Sequence, residues 1–327
     1  MKRSQKILIG TGALAAGLAA TTVAVYYTAK TLMKIALDRE EPKCIEKTKQ
    51  RLSGSETHSV LLAKLNAAAV TLEQCGCETV EITARDGEPL VGHWYACVNP
   101  ERVIIAMHGW RSSWAKDFGA VADFWHMQNC NVLYVEQRGQ NNSGGDYMGF
   151  GLMERYDCLD WINWINETKR CEAHGKELPL YLSGVSMGAT SVLMAAGMEL
   201  PANVKGIMAD CGFTSPYEIW QHIAEKNLHL SFGLCGEIAD EICKNKIQMS
   251  GQEYSSVEAM KQCTVPVLFI HGAEDRMVPI EMTYENYKAC AAPKRLFVVP
   301  GAEHGMSYFT DTAGYQKEML EFWRDFH

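Results

Sequence analysis

Ser186 is flanked by glycines in Ser183-Gly184-Val185-Ser186-Met187-Gly188, with a short apolar run before it and a helix-forming stretch, Ala189 to Met198, after it. A G-x-S-x-G string says little by itself. Between a strand and a helix it suits a strained turn, because the glycines let the two elements approach without a Cβ clash. Such a turn lifts the hydroxyl to a sheet edge and sets helix N-terminal N–H groups beside it. A serine hydroxyl is a poor nucleophile at neutral pH, so a base and a group that orients the base must lie elsewhere in the chain.

Ten histidines are available. His304 follows the apolar run Leu296 to Val299, on a loop directed to the same edge, and is the expected base. His271 and His108 end earlier apolar runs, where packed or loop-orienting roles are expected. The loop after Ile270 offers two carboxylates, Glu274 and Asp275; spacing does not separate them, and Asp275 is the preferred orienter. An oxyanion needs two preorganised N–H donors. Met187, next to the serine, is the first. The second is expected from His108-Gly109-Trp110-Arg111-Ser112-Ser113, at Trp110 N–H; the indoles of Trp110 and Trp114 would suit core cover as well.

The elements that must position these residues are short apolar runs, Val103 to Met107, Val132 to Val135, Leu180 to Leu182, Val204 to Met208, Val267 to Ile270 and Leu296 to Val299. Helical stretches such as Glu154 to Lys169 and Met187 to Leu200 alternate with them. That rhythm predicts an α/β fold with a mainly parallel sheet and helices on both faces. Right-handed crossovers bring the strand C-terminal ends to one edge, where such sheets hold their sites. Upstream, Thr79 to Ala84 and Leu90 to Tyr95 flank an Asp86-Gly87 turn and predict a hairpin, with His93 structural. The long interval from Cys211 to Cys263 breaks the rhythm. Helical patches at Tyr217 to Asn227 and Gly236 to Lys246 make it an expected lid over about residues 213–262, with ordinary packing helices as the alternative. Phe213, Trp220 and Phe232 on it are candidates to meet an acyl or aromatic substrate group, and would equally suit a core.

His108-Gly109-Trp110, Gly184-x-Ser186-x-Gly188, His271-Gly272-x-x-Asp275-x-x-Val278-Pro279 and Glu303-His304 together resemble the α/β-hydrolase superfamily, and within it the small microbial serine-aminopeptidase-like hydrolases. The similarity runs from about Thr79 to Phe326, and the order serine, acid, histidine is the one this fold uses. The resemblance implies an ester, thioester or amide hydrolase without a cofactor. One motif departs. Glu136-Gln137-Arg138-Gly139-Gln140-Asn141-Asn142-Ser143-Gly144 carries Gln140 and Asn141 where the family has His and Gly, so no substrate contact is carried over from that loop. Glu136 and Arg138 are expected to pair and hold it.

Hydrolysis of a carboxylic ester through an acyl-serine is therefore the leading expectation. A peptidase would place acids to meet a free amine, for which Glu218 and Glu225 are the lid candidates, and a silent binding module on the same fold is a third possibility. A haloalkane dehalogenase would have Asp in place of Ser186, and a glycosidase would need a second carboxylate across a cleft. Nucleotide and zinc-protease motifs are absent from the sequence, and a net charge of -8 without a basic patch argues against nucleic acid. Twelve cysteines are scattered with no C-x-x-C pair, which points away from structural zinc and toward buried thiols.

Residues 7–27 carry no charge and, at about 1.5 Å each, are long enough for a bilayer core of roughly 30 Å. Residues 1–35 are thus expected to be an N-terminal membrane anchor. The alternative is a cleaved signal peptide, given Lys2, Arg3 and Lys6 and the weak cleavage sites Gly17-Leu18-Ala19 and Thr22-Val23-Ala24. Residues 36–76 read as a stalk and leading helix and 77–327 as the catalytic domain. Basic residues flank the span on both sides, Lys2, Arg3 and Lys6 before it and Lys30, Lys34 and Arg39 after it, and the catalytic domain is expected to be extracytoplasmic. The oligomeric state is not legible.

Overall fold

The computed structural model describes residues 21–40, 56–169 and 177–327. Eight strands form one sheet: β1 (Glu78–Thr83), β2 (Pro89–Tyr95), β3 (Arg102–Met107), β4 (Cys130–Val135), β5 (Leu180–Val185), β6 (Val204–Asp210), β7 (Val267–Gly272) and β8 (Lys294–Val299). Their order is β1-β2-β4-β3-β5-β6-β7-β8. The expected hairpin β1–β2 is antiparallel and joins the sheet antiparallel to β4; every other pairing is parallel. β4 and β7 are buried at every position because helices cover both faces, which is why such strands read as unbroken apolar runs.

On one face, Trp161 and Ile162 of a helix at Glu154–Trp164 pack with Val192 and Leu193 of a helix at Met187–Ala195. On the other, Phe118 and Trp125 of a helix at Trp114–Met127 pack with Phe322 and Trp323 of a helix at Thr312–Asp325. Five helices matter below and are labelled in chain order: α1 (residues 21–37), α2 (Glu56–Glu73), α3 (Trp114–Met127), α4 (Glu154–Trp164) and α5 (Met187–Ala195). α2 crosses α3 closely enough that a Cβ on Gly119 would lie 2.7 Å from the Ala68 main chain, so glycine is required there.

A third apolar cluster lies at the C-terminal end of the sheet. It joins Ala29, Met33 and Leu37 of α1 to Phe213, Trp220, Phe232 and Ala239 from the lid interval, and to Met187 and Met194 of α5. α1 runs across the expected boundary between anchor and stalk. Ala36 and Leu37 are buried, Arg39 N–H donates to Asp146 O at 2.8 Å and Met148 N–H to Leu37 O at 2.8 Å, so the second half of α1 is built into the catalytic unit. Residues 7–20 of the expected membrane span lie outside the described residues. Among the described residues no helix is long and apolar enough to cross a membrane. The described cysteines are all unpaired and most are buried, as their apolar settings suggest.

Candidate active site

β5 turns into α5 at Ser186, whose backbone sits at φ 55° and ψ −117°, a conformation that costs a side chain strain. The positions two residues to either side must be glycine. A Cβ on Gly188 would lie 1.9 Å from Met107 O, and one on Gly184 2.3 Å from the Gly188 main chain. Ser186 N–H donates to Asp210 O at 2.8 Å, which ties the turn to β6.

Sequence-selected residues from three loops meet here. Ser186 Oγ lies 2.9 Å from His304 Nε2, and His304 Nδ1 lies 2.6 Å from Asp275 Oδ2. With the Nδ1 proton directed at Asp275, Nε2 can accept the serine proton. Asp275 Oδ1 accepts two N–H bonds, from Met277 and Val278, both at 2.9 Å. Burial alone would push this carboxyl up, but His271, His304 and Val278 N–H outweigh it and hold the carboxyl well below the usual range. Glu274, the other acid weighed from sequence, is exposed.

His271 was legible only as a packed or loop-orienting residue, and the structure gives it a definite place. Its Nε2 is 3.0 Å from Val278 O and 3.3 Å from Asp275 Oδ2, and its Nδ1 is 2.7 Å from Thr283 Oγ1. A carbonyl can only accept, so Nε2 carries a proton, and the ring braces the same Asp275 oxygen, Oδ2, that His304 Nδ1 meets. Behind them, Asp210 is fully buried and accepts from Ser307 Oγ at 3.0 Å, with burial pushing its carboxyl up.

The loop after β3 borders the serine: a Cβ on Gly109 would lie 3.3 Å from Ser186 Cβ. Among the described residues the N–H groups of Met187 and Trp110 donate to no protein acceptor. The rest of the loop is held. Asp117 accepts from Gly109 N–H at 2.6 Å and from Ser112 Oγ at 2.5 Å, Gln140 Oε1 accepts from Arg111 N–H at 2.6 Å, and Asn141 Nδ2 donates to Ser112 O at 3.0 Å. Gln140 and Asn141, the departures from the family motif, thus brace this loop. His108 joins them: its buried Nδ1 donates to Gly109 O at 2.8 Å, its Nε2 accepts Gln137 N–H at 3.2 Å, and burial pushes its pKa down.

The expected Glu136–Arg138 pair does not form. Glu136 bonds His93 Nε2 at 2.8 Å and Asn142 N–H at 2.5 Å, while Arg138 reaches Asp157 on α4 (Nε to Oδ2, 2.6 Å) and Asp86 in the hairpin turn (2.7 Å). Residues two apart on an extended loop start point the same way, but each found a partner on a different element. The lid side chains take the core setting, one of the two roles expected of them. Phe213, Trp220 and Phe232 are 2%, 5% and 2% exposed, and Trp220 packs edge-on against Phe150 with ring centres 5.7 Å apart. They fill the third apolar cluster and present no open face to a substrate. Glu218 is exposed, and Glu225 accepts from Gln221 Nε2 at 3.2 Å.

Among the described residues, Cys211, Asp275 and His304 are the one group whose ligand atoms approach within 4.8 Å. Burial drives the Cys211 thiol far up, away from the thiolate a metal takes, and the other two atoms are already bonded to each other.

Fold and site together define a serine hydrolase of the α/β-hydrolase fold. A family model described as the prolyl oligopeptidase family matches residues 116–326, and the chain belongs to that family. It is 28% identical over 193 residues to the uncharacterized protein YqkD of Bacillus subtilis, an alignment covering 59% of this chain and 61%, less than two thirds, of that protein. It is also 28% identical over 260 residues to the uncharacterized protein YfhR of Escherichia coli K12, covering 75% and 80% of the two chains. Among solved structures, the esterase Pf2001 of Pyrococcus furiosus superposes with a TM-score of 0.63 at 21% identity, covering 77% of this chain and 91% of that one; at this identity the likeness speaks for the fold.

Proposed function

We propose that this chain hydrolyses a carboxylic ester, or a related acyl compound, through an acyl-Ser186 intermediate. The observation that carries the reading is His304, whose ring bridges Ser186 Oγ at 2.9 Å and Asp275 Oδ2 at 2.6 Å; among the described residues the N–H groups of Met187 and Trp110 are left without a protein acceptor. In the first half-reaction His304 Nε2 takes the serine proton as Oγ attacks the acyl carbon. The oxyanion forms between the two N–H groups, and His304 then protonates the leaving oxygen. In the second, His304 deprotonates a water that attacks the acyl carbon, and the proton returns to Oγ as the carboxylic acid leaves. Asp275 fixes the tautomer and stabilises the imidazolium.

Family membership supports a second reading, hydrolysis of a peptide bond by the same steps with an amine leaving group. The test is fluorophosphonate labelling of the full-length chain in detergent, followed by a p-nitrophenyl ester series and aminoacyl amides. Turnover of esters well above amides is expected. The reverse ranking would give the peptidase reading, and absence of any Ser186 adduct would sink both.

A membrane attachment through residues 7–27, with the catalytic domain extracytoplasmic, belongs to the same proposal. It is supported by the uncharged segment and by Val23, Tyr26 and Tyr27, which are exposed on the first turns of α1, where aromatic residues suit a lipid–water boundary. Resistance to carbonate extraction, and protease access to the domain from outside intact cells, are the expected outcomes. Release by carbonate, or a mature N-terminus between residues 19 and 26, would replace the anchor with a peripheral protein or a cleaved signal.

A further inference from the structure

Trp110 and Arg111 are consecutive residues of the loop beside Ser186, and both donate into the C-terminal end of α1. Trp110 Nε1 lies 2.8 Å from Ala36 O. Arg111 Nη2 lies 2.8 Å from Ile35 O and 2.6 Å from Asp38 O, with Nη1 3.3 Å from Arg39 O. The Ile35 and Ala36 carbonyls belong to the last turn of α1, which a helix leaves without intrahelical donors, while Asp38 and Arg39 follow its end; a guanidinium there also meets the negative end of the helix dipole. Arg111 itself is held at φ 51°, a left-handed backbone that glycine would take without strain.

The other end of this clip is firm. Ala29, Met33 and Leu37 seat α1 in the third apolar cluster, Lys246 Nζ pairs with Asp38 Oδ1 at 2.7 Å, and Asp38 bridges to Tyr147. Asp117 grips the loop from α3 on one side, and α1 grips it on the other. Neither α1 nor residues 108–113 fall within the span matched by the family model.

We infer that Arg111 is a positioning residue: by clipping the loop to the C-terminus of α1 it fixes the direction of Trp110 N–H, which makes α1 part of the catalytic machinery. The inference rests on the reading of Ser186 as nucleophile and Trp110 as oxyanion donor. It deepens that reading by assigning the N-terminal helix a task in the chemical step. A donor that wanders loses stabilisation in the transition state and little in the ground state, so the effect belongs in kcat.

The test uses the full-length chain. Arg111→Gly removes the clip while relieving the left-handed strain, and Trp110→Phe removes only the Nε1 bond and keeps a ring. For a short p-nitrophenyl ester, Arg111→Gly is expected to lower kcat by about tenfold or more with KM within about twofold, and to slow fluorophosphonate labelling of Ser186 in parallel. Trp110→Phe should move both in the same direction by less. Arg111→Lys should not restore the rate, since a point charge cannot hold two carbonyls as a fork does. A folded Arg111→Gly variant with unchanged kcat and labelling, or with a change confined to KM, would overturn the inference. If that variant does not fold, unchanged kcat and labelling in Trp110→Phe would overturn it instead. Wild-type chain that takes no label on Ser186 would mean that the nucleophile reading itself has failed.

Discussion

On the proposed mechanism the Ser186 proton passes to His304 Nε2, 2.9 Å away, while Asp275, 2.6 Å from Nδ1, holds the ring and steadies the imidazolium. Ser186→Ala is expected to abolish fluorophosphonate labelling and to lower turnover by about three orders of magnitude or more, leaving only binding and the oxyanion donors. Persistent labelling would move the nucleophile elsewhere. Asp275→Asn should be far more damaging to kcat than Glu274→Gln, since Glu274 is exposed and Asp275 collects four hydrogen-bonding neighbours. Asp275 also links the site to stability. Its carboxyl is held below the ordinary value of 3.8, so near that pH the native chain binds fewer protons than the unfolded one. The stabilisation is fully present above pH 3.8 and is lost as pH falls further. Urea midpoints measured across the acid range should therefore decline less steeply below about pH 4 in Asp275→Asn than in the wild type. The choice of Asp275 over Glu274 was a preference on sequence alone, because neighbours in a loop differ in direction and not in spacing.

The turn between β5 and α5 depends on two glycines more than on its serine. With a Cβ only 1.9 Å from Met107 O, Gly188→Ala has to push α5 away from β3, so loss of folded protein is expected, measured as a fall in thermal midpoint or in soluble yield. A well-folded, active Gly188→Ala would show that the sheet gives more readily than its packing suggests. The lid interval follows a different rule. Trp220 is buried against Phe150, and a Cβ on Gly251 would lie 2.6 Å from its ring, so Trp220→Ala is expected to cost about 3–5 kcal/mol in urea unfolding. A near-zero cost, with KM raised only for long acyl chains, would return Trp220 to the substrate side. From sequence these two roles could not be told apart, since an apolar ring serves a core and a substrate pocket equally well.

At the scale of the whole molecule, α1 joins what the sequence divides. Its first turns expose Val23, Tyr26 and Tyr27, while Ala29, Met33, Ala36 and Leu37 are sealed in the third cluster. A chain beginning at residue 41 uncovers the surface these side chains occupy and strands Arg111 without its carbonyl partners. It should unfold at a lower temperature, and turn over more slowly when folded, than a chain beginning at residue 21. Equal midpoints and rates in calorimetry and ester assays would show that α1 rests on the domain without supporting it.

The sequence by itself determined the order of strands and helices, the turn at Ser186, and the loops that carry His304 and Asp275. Each is written in local chemistry: buried parallel strands must be apolar throughout, and a close strand–helix approach admits only glycine. Tertiary structure alone decided where Glu136, Arg138, Gln140 and Asn141 find their partners, since those partners lie on β2, α4, the hairpin turn and the loop after β3. It likewise decided the left-handed backbones at Arg111, Asn141 and Cys211, which have no glycine to announce them. The seating of α1 belongs with these. An apolar helical face shows that something covers it, but which surface does so is settled only when the lid interval and the end of the sheet are assembled around it.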